Sequence, residues 1–573
     1  MVYMQVPFHM MIDWGDNWSF LTVVEIIKAE LHLPREDLFF GGIPYVYPPI
    51  SLITYAILYT ILPVSYTFLS NNIAPIIGSF TVFGVYLLAW KLSGNKWVGV
   101  LAAYLSIFTP RYLALSSIPI PEMFGHLQAP IIMYLAYVTA KSRNKNHALL
   151  TGMAGATLFL NHHLTSAILF LSVTVYFLTL YTIKLHFDYL KLLVIILAVS
   201  FILSSPWWFD TVSKNIMNLV VREQEYAVPP FRDYVAMLSP FNFYTGSVAV
   251  AAITLLVIAF FILNLAARLG LDKKSIPQIL FEKQEAVALL FAWCGFTLLA
   301  TQSRNIVRIL LEEAVKKNPN LLLVLAPIYG ERYFDYMAQP FAIANAMLLA
   351  CLFTAAASLI SRGMKKKKKQ KTIKIMALAC SILVFYPTIT FGFGIDDPLL
   401  EKLDAAIREA GLPDPHLDIA NWALWRMKPD VNDSVEYEAS LWMRENLAPD
   451  ANIVADYPSG EVISAGALRR IVGGAELRVT VDVVGVYSDI LVIYYTDSVD
   501  EAITLMRKRN ATHVYISDRI INRGWLPITS HSRWPRYNIG AGMKQTNEKK
   551  FAESQCFEKI YDKDKIRIYE LVC

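Results

Sequence analysis

Residues 38–90 read LFFGGIPYVYPPISLITYAILYTILPVSYTFLSNNIAPIIGSFTVFGVYLLAW, and from Leu38 to Trp90 no Asp, Glu, Lys or Arg interrupts them. Pro48-Pro49, Pro63 and Asn71-Asn72 punctuate the run. It is long enough for two membrane spans of about 20 residues each. Outward from this stretch the pattern repeats. Uncharged runs cover Leu192–Phe209, Ser247–Ala267, Ala286–Ser303, Ala338–Ser361 and Ile375–Ile395, and Ala148–Ile183 is broken only by Asn161-His162-His163. Trp97–Pro110 and Leu127–Ala140 are apolar but reach only about 20 Å as helices, so they read as half-spans or tilted pieces beside a protein-lined cavity. Roughly ten to thirteen membrane segments are expected.

Composition agrees. Of 573 residues, 55% are hydrophobic and 17% charged, against about 25% charged in soluble domains; the mean hydropathy is positive. A soluble, disordered or fibrous protein is excluded. The net charge of +5 is small for this length, and no basic face interleaved with aromatics suggests a nucleic-acid partner. Cys294, Cys351 and Cys380 lie in apolar runs, and no pair has zinc spacing; Cys556 and Cys573 could form one bridge in an oxidising space.

Orientation is anchored by Arg362 to Lys374, which contains Lys365 to Lys369 in succession after an apolar span. Such a cluster belongs on the cytoplasmic side, as do the basic stretches Lys141–His147 and Arg268–Lys283. The span Ile375–Ile395 then carries the remainder outward. The reading is therefore an α-helical multi-pass bundle over residues 49–395, preceded by an external acidic and amphipathic segment, 1–48. A mixed α/β extracytoplasmic domain follows over 396–573, with helices at Glu436–Leu447 and Val499–Arg509 and strands at Asn452–Ala455, His513–Ser517 and Lys565–Leu571. Keeping segment 1–48 external requires one short piece, Trp97–Pro110, not to cross.

The candidate chemistry lies at the ends of spans. Ile12-Asp13-Trp14-Gly15-Asp16-Asn17-Trp18-Ser19-Phe20 places Asp13 and Asp16 on one face if helical. Phe20, Leu21, Val24, Ile27 and Leu31 then suggest an amphipathic helix at the membrane surface. Asp16 could simply cap that helix, or it could serve as a general base. Gly41-Gly42-Ile43-Pro44-Tyr45-Val46-Tyr47-Pro48-Pro49 forms a rigid turn into the first long span. Ile118-Pro119-Ile120-Pro121-Glu122-Met123-Phe124-Gly125-His126 forms a second acidic loop, and Tyr329-Gly330-Glu331-Arg332-Tyr333-Phe334 precedes another span. His162 and His163 fit best as helix terminators at an interface, with contact to a phosphate or divalent ion as the sharper alternative.

In their order, these motifs and Leu441-Trp442-Met443-Arg444-Glu445-Asn446-Leu447-Ala448-Pro449-Asp450 resemble the GT-C superfamily of polytopic membrane glycosyltransferases, and its oligosaccharyltransferase catalytic subunits in particular. The resemblance implies an inverting transferase that moves a sugar from a polyprenyl-phosphate (dolichyl or similar) carrier to a glycan or protein acceptor at the extracytoplasmic face of the cell membrane. It implies Asp16 and Asp13 as catalytic carboxylates, with Arg332, Glu331, Glu122, His126, His162, His163 and Tyr47 binding substrate; Arg332 would hold the departing phosphate. A divalent cation, Mg2+ or Mn2+, is compatible with that chemistry, with no ligand set assigned.

Two departures qualify it. A first span normally precedes the acidic loop, and few residues stand before Asp13, so that helix is expected to be missing or to precede residue 1. The family signature Trp-Trp-Asp-Tyr-Gly is replaced by Val454-Ala455-Asp456-Tyr457-Pro458-Ser459-Gly460, which favours an acceptor other than a protein asparagine. A diverged oligosaccharyltransferase is the second reading. A lipid or solute transporter and an inactive scaffold are the others; charge-free spans argue against transport, because transporters place ionisable groups at mid-membrane.

Overall fold

The computed structural model describes residues 15–45, 47–62, 68–106, 120–216, 284–301, 338–360, 433–473, 483–523 and 547–573, with the single residues 64, 311 and 336. Asp13, Glu331, Arg332, the lysine run, the spans Ser247–Ala267 and Ile375–Ile395 and the boundary at 395/396 lie outside the described residues.

The first part is helical: α1 (Gly15–Glu30), α2 (Ile50–Ile61), α3 (Ala74–Ser79), α4 (Thr81–Ser93), α5 (Lys96–Ser106), α6 (Pro121–Ser142), α7 (Lys145–Phe159), α8 (His163–Lys184), α9 (Asp188–Ile216), α10 (Gln284–Thr301) and α11 (Ala338–Ile360). Between α1 and α2 a short antiparallel pair forms from β1 (Glu36–Asp37) and β2 (Ile43–Pro44). Among the described residues, three helical stretches are long and apolar enough to cross a membrane: Ala74–Ser93, His163–Lys184 and Asp188–Phe209. In the bundle core Leu88, Met133, Tyr176, Phe177, Ile196 and Trp293 are buried together. Glycines set the closest approaches. A Cβ on Gly84 would lie 2.7 Å from Pro130 Cγ, so α4 meets α6 at its proline.

Two expectations need correction. Leu127–Ala140 is no half-span: it belongs to α6, a continuous helix of 22 residues, about 33 Å long. The acidic stretch around Glu122 is the first turn of that helix, not a loop. Ile120 is extended at φ −97°, ψ 154°, as a residue before proline must be. Pro121 then opens the helix where its missing N–H costs nothing. By contrast α5, over the expected short piece, has 11 residues, about 16 Å.

The C-terminal part is layered. It comprises α12 (Asp433–Asn446), β3 (Asn452–Val454), α13 (Tyr457–Ala467), β4 (Arg470–Ile471), α14 (Val483–Tyr495), α15 (Val499–Lys508), β5 (His513–Ser517), α16 (Asp518–Arg523), α17 (Lys549–Glu553), β6 (Phe557–Lys563) and β7 (Ile566–Leu571). The five strands lie in the order β4-β3-β5-β7-β6. Parallel β3–β4 and β3–β5 pairs are joined by helices, as parallel strands require. The antiparallel β6–β7 hairpin turns at Asp564 and Lys565, both with positive φ, the backbone of a type I′ turn. Ile453, Val454, Ile471, Val514, Ile516, Ile568 and the packed helices form the core. Cys556 and Cys573 form a disulfide. Lys550, 5% exposed, donates to the carbonyls of Tyr494 and Thr496, and burial pushes its ammonium down to about 8.

A third core joins the two parts. Leu21 and Val24 of α1, Leu52 and Tyr55 of α2, Met123 of α6 and Val462 and Ala465 of α13 are buried together. The expected surface helix is thus wedged between the bundle and α13. Leu31 does not belong to its apolar face: the helix ends at Glu30, and Leu31, at φ 57°, is 88% exposed.

Candidate functional site

Where the bundle meets α1, a buried polar network gathers two of the expected stretches. Glu122, in the first turn of α6, is 5% exposed and His126, one turn on, 1%. The negative charge of Glu122 suits the positive end of the helix dipole. Tyr336 Oη donates to Glu122 Oε1 at 2.5 Å. Thr165 Oγ1 donates to Tyr336 Oη at 3.3 Å, and His162 Nδ1 lies 2.7 Å from Thr165 Oγ1. His162 Nδ1 accepts from the Thr165 amide, and the Thr165 and Tyr336 hydroxyls lead from it to the Glu122 carboxylate. Tyr336 also stacks on the ring of His126 at 5.2 Å between centroids, and Gln339 Nε2 donates to the His126 carbonyl at 2.7 Å.

Local sequence explains this placement. His162 is the N-cap of α8, extended at φ −153°, with Nδ1 3.3 Å from the Thr165 amide. The helix-terminator reading is therefore right about its position, although the ring is buried and engaged. Gly125 allows α6 to approach α8: a Cβ there would fall 2.5 Å from Thr165 Oγ1.

An aromatic chain leads from the network to α1. The rings of His162 and His163 lie 5.5 Å apart, His163 and Tyr47 5.8 Å, and Tyr47 and Phe20 5.4 Å. Trp207 Nε1 donates to the Tyr47 carbonyl at 3.1 Å. The Ile50 amide donates to the Leu160 carbonyl at 3.0 Å, so the turn into α2 is tied to the end of α7. His163 itself is exposed.

Asp16 is the second residue of α1. The rest of that helix is fastened to α13 and α12: Ser19 Oγ donates to Glu461 Oε2, Thr22 and Ser464 hydroxyls meet at 3.1 Å, and Arg444 of α12 faces Glu25 at 3.9 Å. The stretch that replaces the tryptophan signature finishes β3 and caps α13, with the Ser459 amide donating to Asp456 Oδ1 at 3.2 Å. Ser459 Oγ in turn donates to Glu436 Oε1 at 3.2 Å.

Of the expected residues, Glu122, His126 and His162 share one network, and His163 and Tyr47 adjoin it. Asp13, Glu331 and Arg332 lie outside the described residues. Sequence reasoning missed Tyr336, Thr165, Gln339 and Glu461. Thr165 stands three residues after His162, the spacing of an N-cap partner; Tyr336 carried no such signal. Among the described residues no three His, Cys, Asp or Glu side chains converge as a metal-binding set.

The chain shares its fold with the archaeal oligosaccharyltransferase AglB from Archaeoglobus fulgidus, solved with an inhibitory peptide and a dolichol-phosphate. That likeness has a TM-score of 0.51 at 14% identity, covering 88% of this chain and 66% of AglB. The Archaeoglobus fulgidus oligosaccharyltransferase with Zn and sulfate aligns at TM-score 0.48 and 16% identity, over 88% of this chain and 64% of the other. ArnT from Cupriavidus metallidurans bound to undecaprenyl phosphate aligns at 0.48 and 8% identity, over 97% and 93% of the two chains. The chain thus spans a little less than two thirds of the length of the oligosaccharyltransferase structures. No protein-family model matches it, and no curated protein does.

Proposed function

We propose that this chain is a multi-pass membrane glycosyltransferase that moves a sugar from a polyprenyl-phosphate-type lipid carrier to an acceptor at the extracytoplasmic face. Segment 1–48 and the domain 396–573 would close over the mouth of a bundle spanning 49–395. The observation that carries the reading is the convergence of Glu122, His126, His162 and Tyr336 in one buried network at the N-terminal ends of α6 and α8, in a chain with the AglB fold.

Displacement at a sugar carbon needs a base for the acceptor's proton and a cation for the departing phosphate. An N-terminal aspartate, Asp16 with Asp13 beside it, takes the first role. Arg332 takes the second through a bidentate contact, with Glu331 orienting it. Glu122, oriented by Tyr336, and His126 fix the reacting groups. His163 and Tyr47, at the open end of the aromatic chain, line the approach of the substrate. Holding donor and acceptor in one geometry is the larger part of such catalysis. A divalent cation, if bound, would supply further charge for the leaving phosphate; the described residues form no ligand set for it, and base, phosphate clamp and positioning groups all come from the chain itself.

The Cys556–Cys573 bridge supports an extracytoplasmic C-terminal domain, because disulfides persist in oxidising compartments. The missing tryptophans beside Asp456 favour an acceptor other than a protein asparagine; transfer to protein is the second reading, supported by the likeness to an oligosaccharyltransferase. The test is incubation of purified protein with a panel of polyprenyl-phosphate sugars, scored for donor consumption. No consumption of any donor, with the lipid alone also failing to bind, overturns the reading.

A further inference from the structure

We propose that Glu461 is a positioning residue that locks α1 onto α13 through Ser19 and so sets where the N-terminal carboxylates stand. The inference rests on the reading of Asp16 as the base. Three rungs join the helices: Ser19 to Glu461, Thr22 to Ser464, and Glu25 to Arg444 of α12. The α1 members recur every three residues, as do Glu461 and Ser464, so the rungs run along one face of each helix. Leu21, Val24, Val462 and Ala465 fill the space beside them.

The rungs are not equivalent. Glu461 is 1% exposed, and a carboxylate taken out of water must be met by donors. Its carboxyl oxygen accepts from the Ser19 hydroxyl, whereas Thr22 and Ser464 meet hydroxyl to hydroxyl, where either can donate. It is also the rung closest to the working end: Ser19 lies three residues from Asp16 along α1. Leu21 and Val24 of α1 share one buried core with Leu52, Tyr55 and Met123, the residue after Glu122. Rotation or sliding of α1 would therefore displace Asp16 relative to the network. The C-terminal domain thereby acts on the reacting groups through one buried carboxyl group.

Two measurements on the full chain test this. In a Thr22→Cys, Ser464→Cys background, mild oxidation is expected to join α1 to α13, read as the linked peptide by mass spectrometry. Glu461→Ala is expected to lower the yield severalfold, and Glu461→Gln, whose amide oxygen still accepts from Ser19, to restore it. No link in the parent, or equal yields in all three, overturns the proposal whether or not a donor is consumed. With a donor that the wild type consumes, Glu461→Ala and Ser19→Ala are each expected to lose roughly ten- to a hundredfold in kcat with little change in donor KM, and Glu461→Gln to recover most of it. Wild-type turnover in Glu461→Ala, or a Glu461→Gln as impaired as Glu461→Ala, overturns it. A wild type inert toward every donor counts against the transferase reading alone, because the linking yields still decide whether Glu461 holds α1.

Discussion

Tyr336 and Glu122 meet through a 2.5 Å hydrogen bond across 214 residues of chain, phenol to carboxylate. The pairing joins the start of α6 to the segment just before α11, and it does so where both side chains are buried. Tyr336→Phe keeps the ring on His126 but removes the donor from the carboxylate. A buried acceptor stripped of a partner costs about 1–3 kcal/mol. The expected result is a lower unfolding temperature in detergent together with a loss of donor consumption. Glu122→Gln, which can still accept from Tyr336, should recover most of the stability and little of the activity. A Tyr336→Phe protein as stable and active as the parent would remove this bond from the site.

Gly125→Ala should injure the site without touching any ionisable group. Its Cβ would lie 2.5 Å from Thr165 Oγ1 and 2.9 Å from Thr165 Cβ, closer than real contacts allow, so Thr165 must leave Tyr336 and His162. Overpacking of this kind typically costs about 1–3 kcal/mol. Gly295→Ala, with no neighbouring side chain within 4 Å of the added carbon among the described residues, is the control. A drop in thermal stability and donor turnover confined to Gly125→Ala is expected.

How much of this could be read from sequence differs by link. The apolar helices, β3, β5 and β7 followed from periodicity alone, because burial on one face or both leaves a pattern in every window. Glu122, His126 and His162 were identifiable as polar residues interrupting apolar runs. Their function as one network was not, since Tyr336, Thr165 and Gln339 are ordinary residues made special by partners up to 214 positions away. The same holds for Glu461: one acidic residue in a serine- and alanine-rich helix signals nothing until Ser19 faces it. The error over α6 has a plain cause. Glu122, His126 and Gln128 dilute the apolar signal at its first turns, so the periodic part looked shorter than the helix.

The Cys556–Cys573 bridge closes a loop with sequence separation 17, for which chain entropy assigns about 3 kcal/mol. Cys556→Ser should lower the unfolding temperature, and reductant should lower that of the parent to match while leaving the variant unchanged. A membrane-impermeant thiol reagent applied to intact cells should label Cys573 in the Cys556→Ser protein. Labelling that appears only after permeabilisation would place the domain on the cytoplasmic side.

His513 on β5 makes stability depend on acid. Burial lowers its imidazole from the ordinary 6.5 to about 4, so the unfolded chain takes up a proton that the folded chain refuses. Stability is therefore intact above pH 6.5 and is lost as pH falls from 6.5 toward 4, by up to roughly 3 kcal/mol. His513→Gln should flatten this part of the profile relative to the parent in thermal melts between pH 7 and 4.5. Parallel profiles for the two proteins would show that His513 is free to protonate in the fold.

On the proposed mechanism the reaction would divide between two residues that should fail in different ways. If Asp16 takes the acceptor's proton, Asp16→Asn removes a base and leaves the donor's phosphate contacts in place. Donor affinity, measured by displacement of a labelled polyprenyl phosphate, should stay near the parent value while sugar transfer disappears. The unfolding temperature should hardly move, because an asparagine still suits the first turn of α1. If Arg332 holds the leaving phosphate, Arg332→Ala weakens donor binding and transfer together, and Arg332→Lys recovers only part, since an ammonium cannot make the bidentate contact. Full transfer by Asp16→Asn would take the N-terminal carboxylate out of the chemistry. Unchanged donor affinity in Arg332→Ala would leave the phosphate to another cation, and the split between binding and turnover in the two variants would then show which half of the mechanism has failed.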